Sequence, residues 1–172
     1  RITGRMTVPQ IRSGLLGSRE RLFASIRGLS EEQFRYVPSG ARWSIAAHLA
    51  HLLRIERIFT ERARAALTQH EPLVASTDVK NDDDPALAQH LAVPQMIHGM
   101  LNVRRELDAL LATCDEAELA RAIVHERFGR MTIAEIAVKM AAHEDEHAAE
   151  VAKLVRQAPS SARVIIPLTR RS

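Results

Sequence analysis

From Thr132 to Gln157 the chain repeats buried-type residues at steps of three and four: Ile133, Ile136, Met140, His143, His147, Val151 and Leu154. That period is one face of an α-helix. Thr132 with Glu135 makes a capping box at its start. A helix of this length and amphipathicity is stable in water only when its stripe packs against other elements. The rest of the chain must therefore provide partners, and it reads as three more long helices.

The first follows Thr7, an N-cap with Gln10 three residues on, and places Ile11, Leu15, Leu22 and Ile26 on one side. The segment SEEQF from Ser30 repeats the capping pattern and predicts a short turn of helix before VPSGARW breaks it. Ser44, just after Trp43, caps a second long helix through IAAHLAHLLRIERIFTERARAALT; a third follows Pro94. The predicted ranges are 8–27, 44–68, 94–112 and 132–157. Ala, Leu and Arg dominate, aromatics are 3% and Gly and Pro are sparse, all of which favour helix. The expectation is an all-α four-helix bundle in one domain, 1–172, with its core at about 8–157 and a C-terminal tail from 158 to 172.

Between the second and third helices the composition changes. Residues 69–94 carry prolines around an acidic run, Asp82 to Asp84, which suits a surface connection. A connection this long often forms the wall of a site. A weak extended character marks Ile123 and Val124, and a short β-prone run, Val164 to Ile166, lies in the tail.

Several functional classes fall away. One cysteine, Cys114, forms no internal disulfide, so a reducing compartment is expected and the residue reads as a small buried hydrophobe. No apolar run approaches the ~18 residues of a membrane span, which points to a cytoplasmic protein without a membrane partner. A pI of 9.6 suggests nucleic acid, but the net charge is only +3 and the arginines are scattered. A nucleic-acid binder clusters them and interleaves aromatics, so these read as solvated helix faces.

His143 to His147 reads HEDEH, which fits the letters of the zinc-peptidase signature H-E-x-x-H. Four positions apart on a helix, both imidazoles share one face. Two histidines satisfied by neighbouring polar groups would explain the pattern, and so would a metal. The peptidase reading fails at its third ligand, because position 153 is Lys, position 150 is Glu, and no Glu or His follows Val155. A di-iron bundle fails too: Glu144 with His147 is a Glu-x-x-His pair, but no second such pair exists. Further imidazoles are available upstream, at His48 and His51. One of them with the pair on the last helix gives three nitrogens and leaves coordination positions open, as catalytic rather than structural sites do.

The segment WSIAAHLAHLLRIE resembles the W-S-x6-H-L-x3-E segment of the DinB-like (YfiT-like) metal-binding four-helix bundle family, and MTIAEIAVKMAAHEDEHAAEVAKL resembles its last helix. The resemblance covers about Val8 to Gln157. It implies an up-down-down-up bundle with a crossover in the long link, and a triad of His51, His143 and His147 around one divalent metal. His48 departs from the apolar residue usual in the family and stands as the secondary candidate: fourth ligand, supporting group or helix neighbour. Glu56, the E of the family segment, is a candidate for orienting an imidazole, with a partner for a nearby arginine such as Arg54 or Arg57 as its alternative. Glu144 lies about 100° around the helix from His143 and is expected to face away from the ligands. His98 is a further candidate for lining the cavity, although a solvent-facing or hydrogen-bonded ring is the plainer reading; His70, His90 and His125 read as connecting-segment residues.

The resemblance implies two kinds of enzyme acting on small molecules: metal-dependent hydrolases, and transferases or isomerases that use a low-molecular-weight thiol such as bacillithiol or mycothiol as second cofactor. Zinc, nickel, copper and iron all suit three imidazoles. The alternative is a stress-associated bundle that binds metal without turnover; an open site walled by residues 69–94 would mark the enzyme and a closed one the alternative. A homodimer through helix faces is expected by the same analogy. Because neutral imidazole is the ligand, metal occupancy should fall as pH drops through about 6.5.

Overall fold

The computed structural model describes residues 6–77 and 84–160. Long helices α1 (Val8–Ile26), α3 (Ile45–Thr68), α5 (Val93–Ala112) and α7 (Ile133–Gln157) alternate with short helical turns α2 (Glu31–Arg35), α4 (Pro85–Ala88) and α6 (Glu116–Leu119). The starts fall where side chains can satisfy the free amides of a first turn. Thr7, Ser30 and Thr132 form reciprocal capping boxes with Gln10, Gln33 and Glu135, and Ser44 accepts from the Ala47 N–H.

Side-chain pairs give the helix directions. Arg12 meets Asp108 and Arg19 donates to the Met100 carbonyl, so α1 and α5 are antiparallel. Leu53 and Arg57 lie over Gly99, while Arg64 faces Glu106, so α3 and α5 run the same way. His48 faces His147 and His51 faces His143, which makes α3 and α7 antiparallel. The result is the expected up-down-down-up bundle, in which the long 69–92 connection returns the chain so that α5 can run parallel to α3.

The core holds Leu15, Leu22, Leu49, Leu52, Leu107 and Met140, each at most 2% exposed. At about 1.5–3 kcal/mol for each buried side chain, this apolar layer is the main force holding the helices together. At its middle lies a feature that charge counting read as solvated surface. Each long helix contributes one ionised residue: Arg19 from α1, Glu56 from α3, Arg104 from α5 and Glu144 from α7. Each arginine bonds both carboxylates, so all four cross-pairs are made. Arg19 also donates to the Met100 carbonyl and Arg104 to that of Leu15. Two positive and two negative groups close on one another, which is how buried charge becomes tolerable.

The expected all-α chain carries one addition, a small sheet of β1 (Leu73–Val74), β2 (Ala122–His125) and β3 (Gly129–Thr132), in the order β1-β2-β3. β1 pairs parallel to β2, and β2 antiparallel to β3, with Ile123 opposite Met131 and His125 opposite Gly129. Gly129 turns the hairpin at φ 72°, a left-handed conformation that a Cβ disfavours. Opposed residues share a face, so Ile123, His125 and Met131 look the same way, toward α3.

The Val164–Ile166 run, and Asp82 and Asp83 of the acidic run, lie outside the described residues. Among those described, no helix is long and apolar enough to cross a membrane.

Candidate metal centre

The buried residues of α7 are Ile133, Ile136, Ala137, Met140, Glu144, Val151 and Leu154. The predicted stripe therefore needs one correction: its centre passes through Glu144, and His143 and His147 lie half-buried at its edge, toward α3. Glu144 does turn away from the imidazoles, but into the core rather than to solvent. On α3, His51 is 3% exposed and His48 8%.

These four rings meet. His51 Nε2 is 2.9 Å from His143 Nε2, and His48 Nδ1 is 2.7 Å from His147 Nδ1. One ligand nitrogen from each of His51, His143 and His147 fits within a span of 4.8 Å. At metal–nitrogen distances of about 2.0–2.1 Å, two ligands of one tetrahedral ion lie about 3.4 Å apart, so the donor set suits a single ion. Trp43 packs its ring 5.1 Å from both His48 and His51 and 6.0 Å from His147, which fixes the rings from the apolar side.

Electrostatics favour the neutral, ligating form. Burial, with the neighbouring His51 second, lowers the pKa of His48 to about 4. Burial also lowers that of His143, again with His51 adding to it and Glu146 opposing. The Glu146 carboxylate lies 3.8 Å from His143 Nδ1, beyond hydrogen-bond reach but on the ring edge opposite His51.

Glu56 is placed differently from the expectation. Its two oxygens accept from Arg19 and Arg104, which lie on other helices, rather than from Arg54 or Arg57. Its role is in the core ion cluster. A sequence scan misses this, because it counts charged residues as surface unless a partner is near in the chain.

The imidazoles open onto a pocket of about 600 Å³ between α3, α7 and the sheet, within the ~300–1,000 Å³ usual for small-molecule sites. Its apolar lining includes Trp43, Ile55, Phe59, Phe128 and Met131, and its polar lining adds Arg62, His125, Arg127 and Lys139. The 69–94 connection contributes only Ser76 and Thr77 among the described residues. Among the described residues the β2–β3 hairpin contributes more of that wall, with His125, Arg127, Phe128 and Met131. His125, read from sequence as a connecting residue, is 4% exposed on β2 and lines this pocket; its alternation with Ile123 was the available signal. His98 does not line it. It is exposed on α5, 3.0 Å from Asn102 Nδ2. Cys114 is half-buried, its thiol donating to the Leu110 carbonyl.

Fold and site together define a class: an up-down-down-up bundle with a histidine cluster lining a cavity. The chain belongs to the DinB superfamily, whose family model matches residues 15–151. It is 26% identical over 142 residues to the uncharacterized protein YuaE of Bacillus subtilis (strain 168), covering 75% of this chain and 87% of that one. Among solved structures it resembles YfiT from Bacillus subtilis, described as a probable metal-dependent hydrolase with an unusual four-helix bundle topology. That match has TM-score 0.78 at 16% identity, over 91% of this chain and 92% of that one. TT2238, a four-helix bundle protein, matches with TM-score 0.62 at 19% identity, over 84% and 98%. At these identities the structural likeness speaks for the fold.

Proposed function

We propose that this protein is a metal-dependent hydrolase of small molecules, with His51, His143 and His147 holding one divalent ion. The observation that carries the reading is the convergence of three imidazole nitrogens within 4.8 Å at a pocket. YfiT, the structural relative described as a probable metal-dependent hydrolase, supports it by analogy. When bound, the ion supplies Lewis acidity, polarising a substrate oxygen or acidifying water or a thiol at neutral pH. The chain's own residues do the rest. Trp43 and the buried ion cluster keep α3 and α7 in register, so the rings converge without a large entropy loss. Glu146 attracts the outer edge of His143 and favours Nε2 as its inward atom. Acidification of a bound thiol would suit a low-molecular-weight-thiol transferase equally, and the same metal site would serve it.

One observation supports the non-catalytic alternative: His48 Nδ1 lies 2.7 Å from His147 Nδ1, beside the three converging nitrogens though not one of them, so a modest turn of its ring would supply a fourth ligand. The experiment is metal analysis of protein purified without a nickel column, followed by ester, amide and thiol-transfer substrates on the loaded protein. About one zinc, nickel or iron per chain with metal-dependent turnover bears the reading out. Full occupancy with no turnover, and tighter binding through His48, selects the alternative.

A further inference from the structure

The end of the pocket away from the imidazoles carries chemistry that metal binding leaves unused. Arg62 on α3 and Arg127 in the hairpin turn line it, and Lys139 on α7, one turn before His143, lines the same pocket with its ammonium over Phe128. No Asp or Glu is among the described lining residues, and none of these three cations has an ion-pair partner among the described residues. Elsewhere the protein pairs its inward arginines thoroughly, as the core cluster shows. Positive groups around one cavity, without a carboxylate partner among the described residues, repel each other and attract an anion.

Their surroundings hold them in place. Arg62 Nη2 donates to the Ala75 carbonyl at 2.9 Å, and its guanidinium lies over Phe59. The Phe128 ring has the Arg127 guanidinium 5.4 Å and the Lys139 ammonium 4.2 Å from its centre. His125 adds a neutral donor. Its Nδ1 accepts from the backbone N–H groups of Arg127 and Phe128, so the proton of the neutral ring is on Nε2. The nearest carboxylate in sequence, Glu126, is turned to the Ser76 N–H.

Distance then sets the shape of the ligand. Arg62 lies eleven positions after His51 on α3, about 16 Å along the helix axis, with Ile55 and Phe59 between them on the pocket wall. We propose that the arginine end of this pocket is an anion subsite, and that the substrate is an elongated apolar molecule with a carboxylate or phosphate remote from its reacting group. The subsite itself rests on Arg62, Arg127 and Lys139; only the placing of the reacting group at the imidazoles rests on the metal reading above.

The test is calorimetric binding of 6-phenylhexanoate, 6-phenylhexyl phosphate and the neutral 6-phenylhexanamide. The proteins are the wild type, metal-loaded and chelator-treated, the Arg62→Gln/Arg127→Gln double variant and Lys139→Gln, each checked by circular dichroism and metal content. The expected result is that at least one anion binds about tenfold more tightly than the amide, the worth of one charge-assisted contact. That preference should persist after chelation, collapse in the double variant and weaken in Lys139→Gln. Which anion wins decides between carboxylate and phosphate. A preference lost on chelation and kept in the double variant would place the anion on the metal and overturn the subsite. Equal binding of acid and amide by the chelated wild type would overturn it too. A wild type that takes up no metal yet keeps the arginine-dependent preference would retain the subsite and remove the metal reading instead.

Discussion

His51 faces His143 through Nε2, whereas His48 reaches His147 through Nδ1, so two rings one turn apart on α3 meet α7 through different nitrogens. Alanine at His51, His143 or His147 is expected to reduce metal content per chain to near zero, because two remaining ligands hold an ion poorly. His48→Ala should keep most of it, and plasma emission analysis of the four variants separates the cases. The pH dependence follows from burial. Folded His143 has a pKa below the ordinary 6.5 and folded His48 one of about 4, so each binds fewer protons folded than unfolded. Their contribution to stability is present above pH 6.5 and is lost as pH falls through the folded values. The lowered pKa of His143 should move the loss of metal below the pH of about 6.5 expected for ordinary imidazoles, and titration of bound metal from neutral pH downward measures it. In the core, Glu56→Gln or Glu144→Gln leaves the buried Arg19 and the largely buried Arg104 facing one carboxylate, at a cost of about 3–5 kcal/mol, readable by urea unfolding. His143 and His147 were legible in the sequence because their spacing lies on one helix, and His51 through the family resemblance. This cluster was not, since its members come one from each long helix and meet only after folding.

At the scale of elements, what was legible is what local chemistry decides. Thr7, Ser44 and Thr132 fix the starts of α1, α3 and α7 because each cap is read within three residues. Thr132→Ala should cost about 1 kcal/mol in chemical denaturation while leaving metal content unchanged, since the cap lies three turns from His143. The sheet was less legible for the opposite reason. β1 is two residues long and pairs with a strand some fifty positions on, a register that no local pattern encodes. Ile123 and Val124 did announce an extended segment, but the turn at Gly129 and the inward aim of His125 depend on packing against α3. The hairpin matters beyond its size, because it carries Arg127, Phe128 and Met131 to the pocket.

The whole molecule brings these levels together along the α3–α7 contact. Both helices donate imidazoles to one cluster, both donate glutamates to the core ion set, and both line the cavity. A metal at the cluster would thus join the second long helix to the last, the pair separated by the long connection and the whole of α5. Binding only the folded chain, it stabilises by an amount that grows with the logarithm of free metal, about 2.7 kcal/mol at one hundred times Kd. For a chain of this size that is on the order of 5–10 °C in Tm. Scanning calorimetry of the chelated protein against graded zinc or nickel should show this concentration-dependent rise in the wild type. His143→Ala should show none, and the Lys139→Gln variant, one turn away on α7 but outside the triad, should show nearly all of it. An equal rise in His143→Ala would mean that the metal stabilises the protein from somewhere other than the histidine cluster.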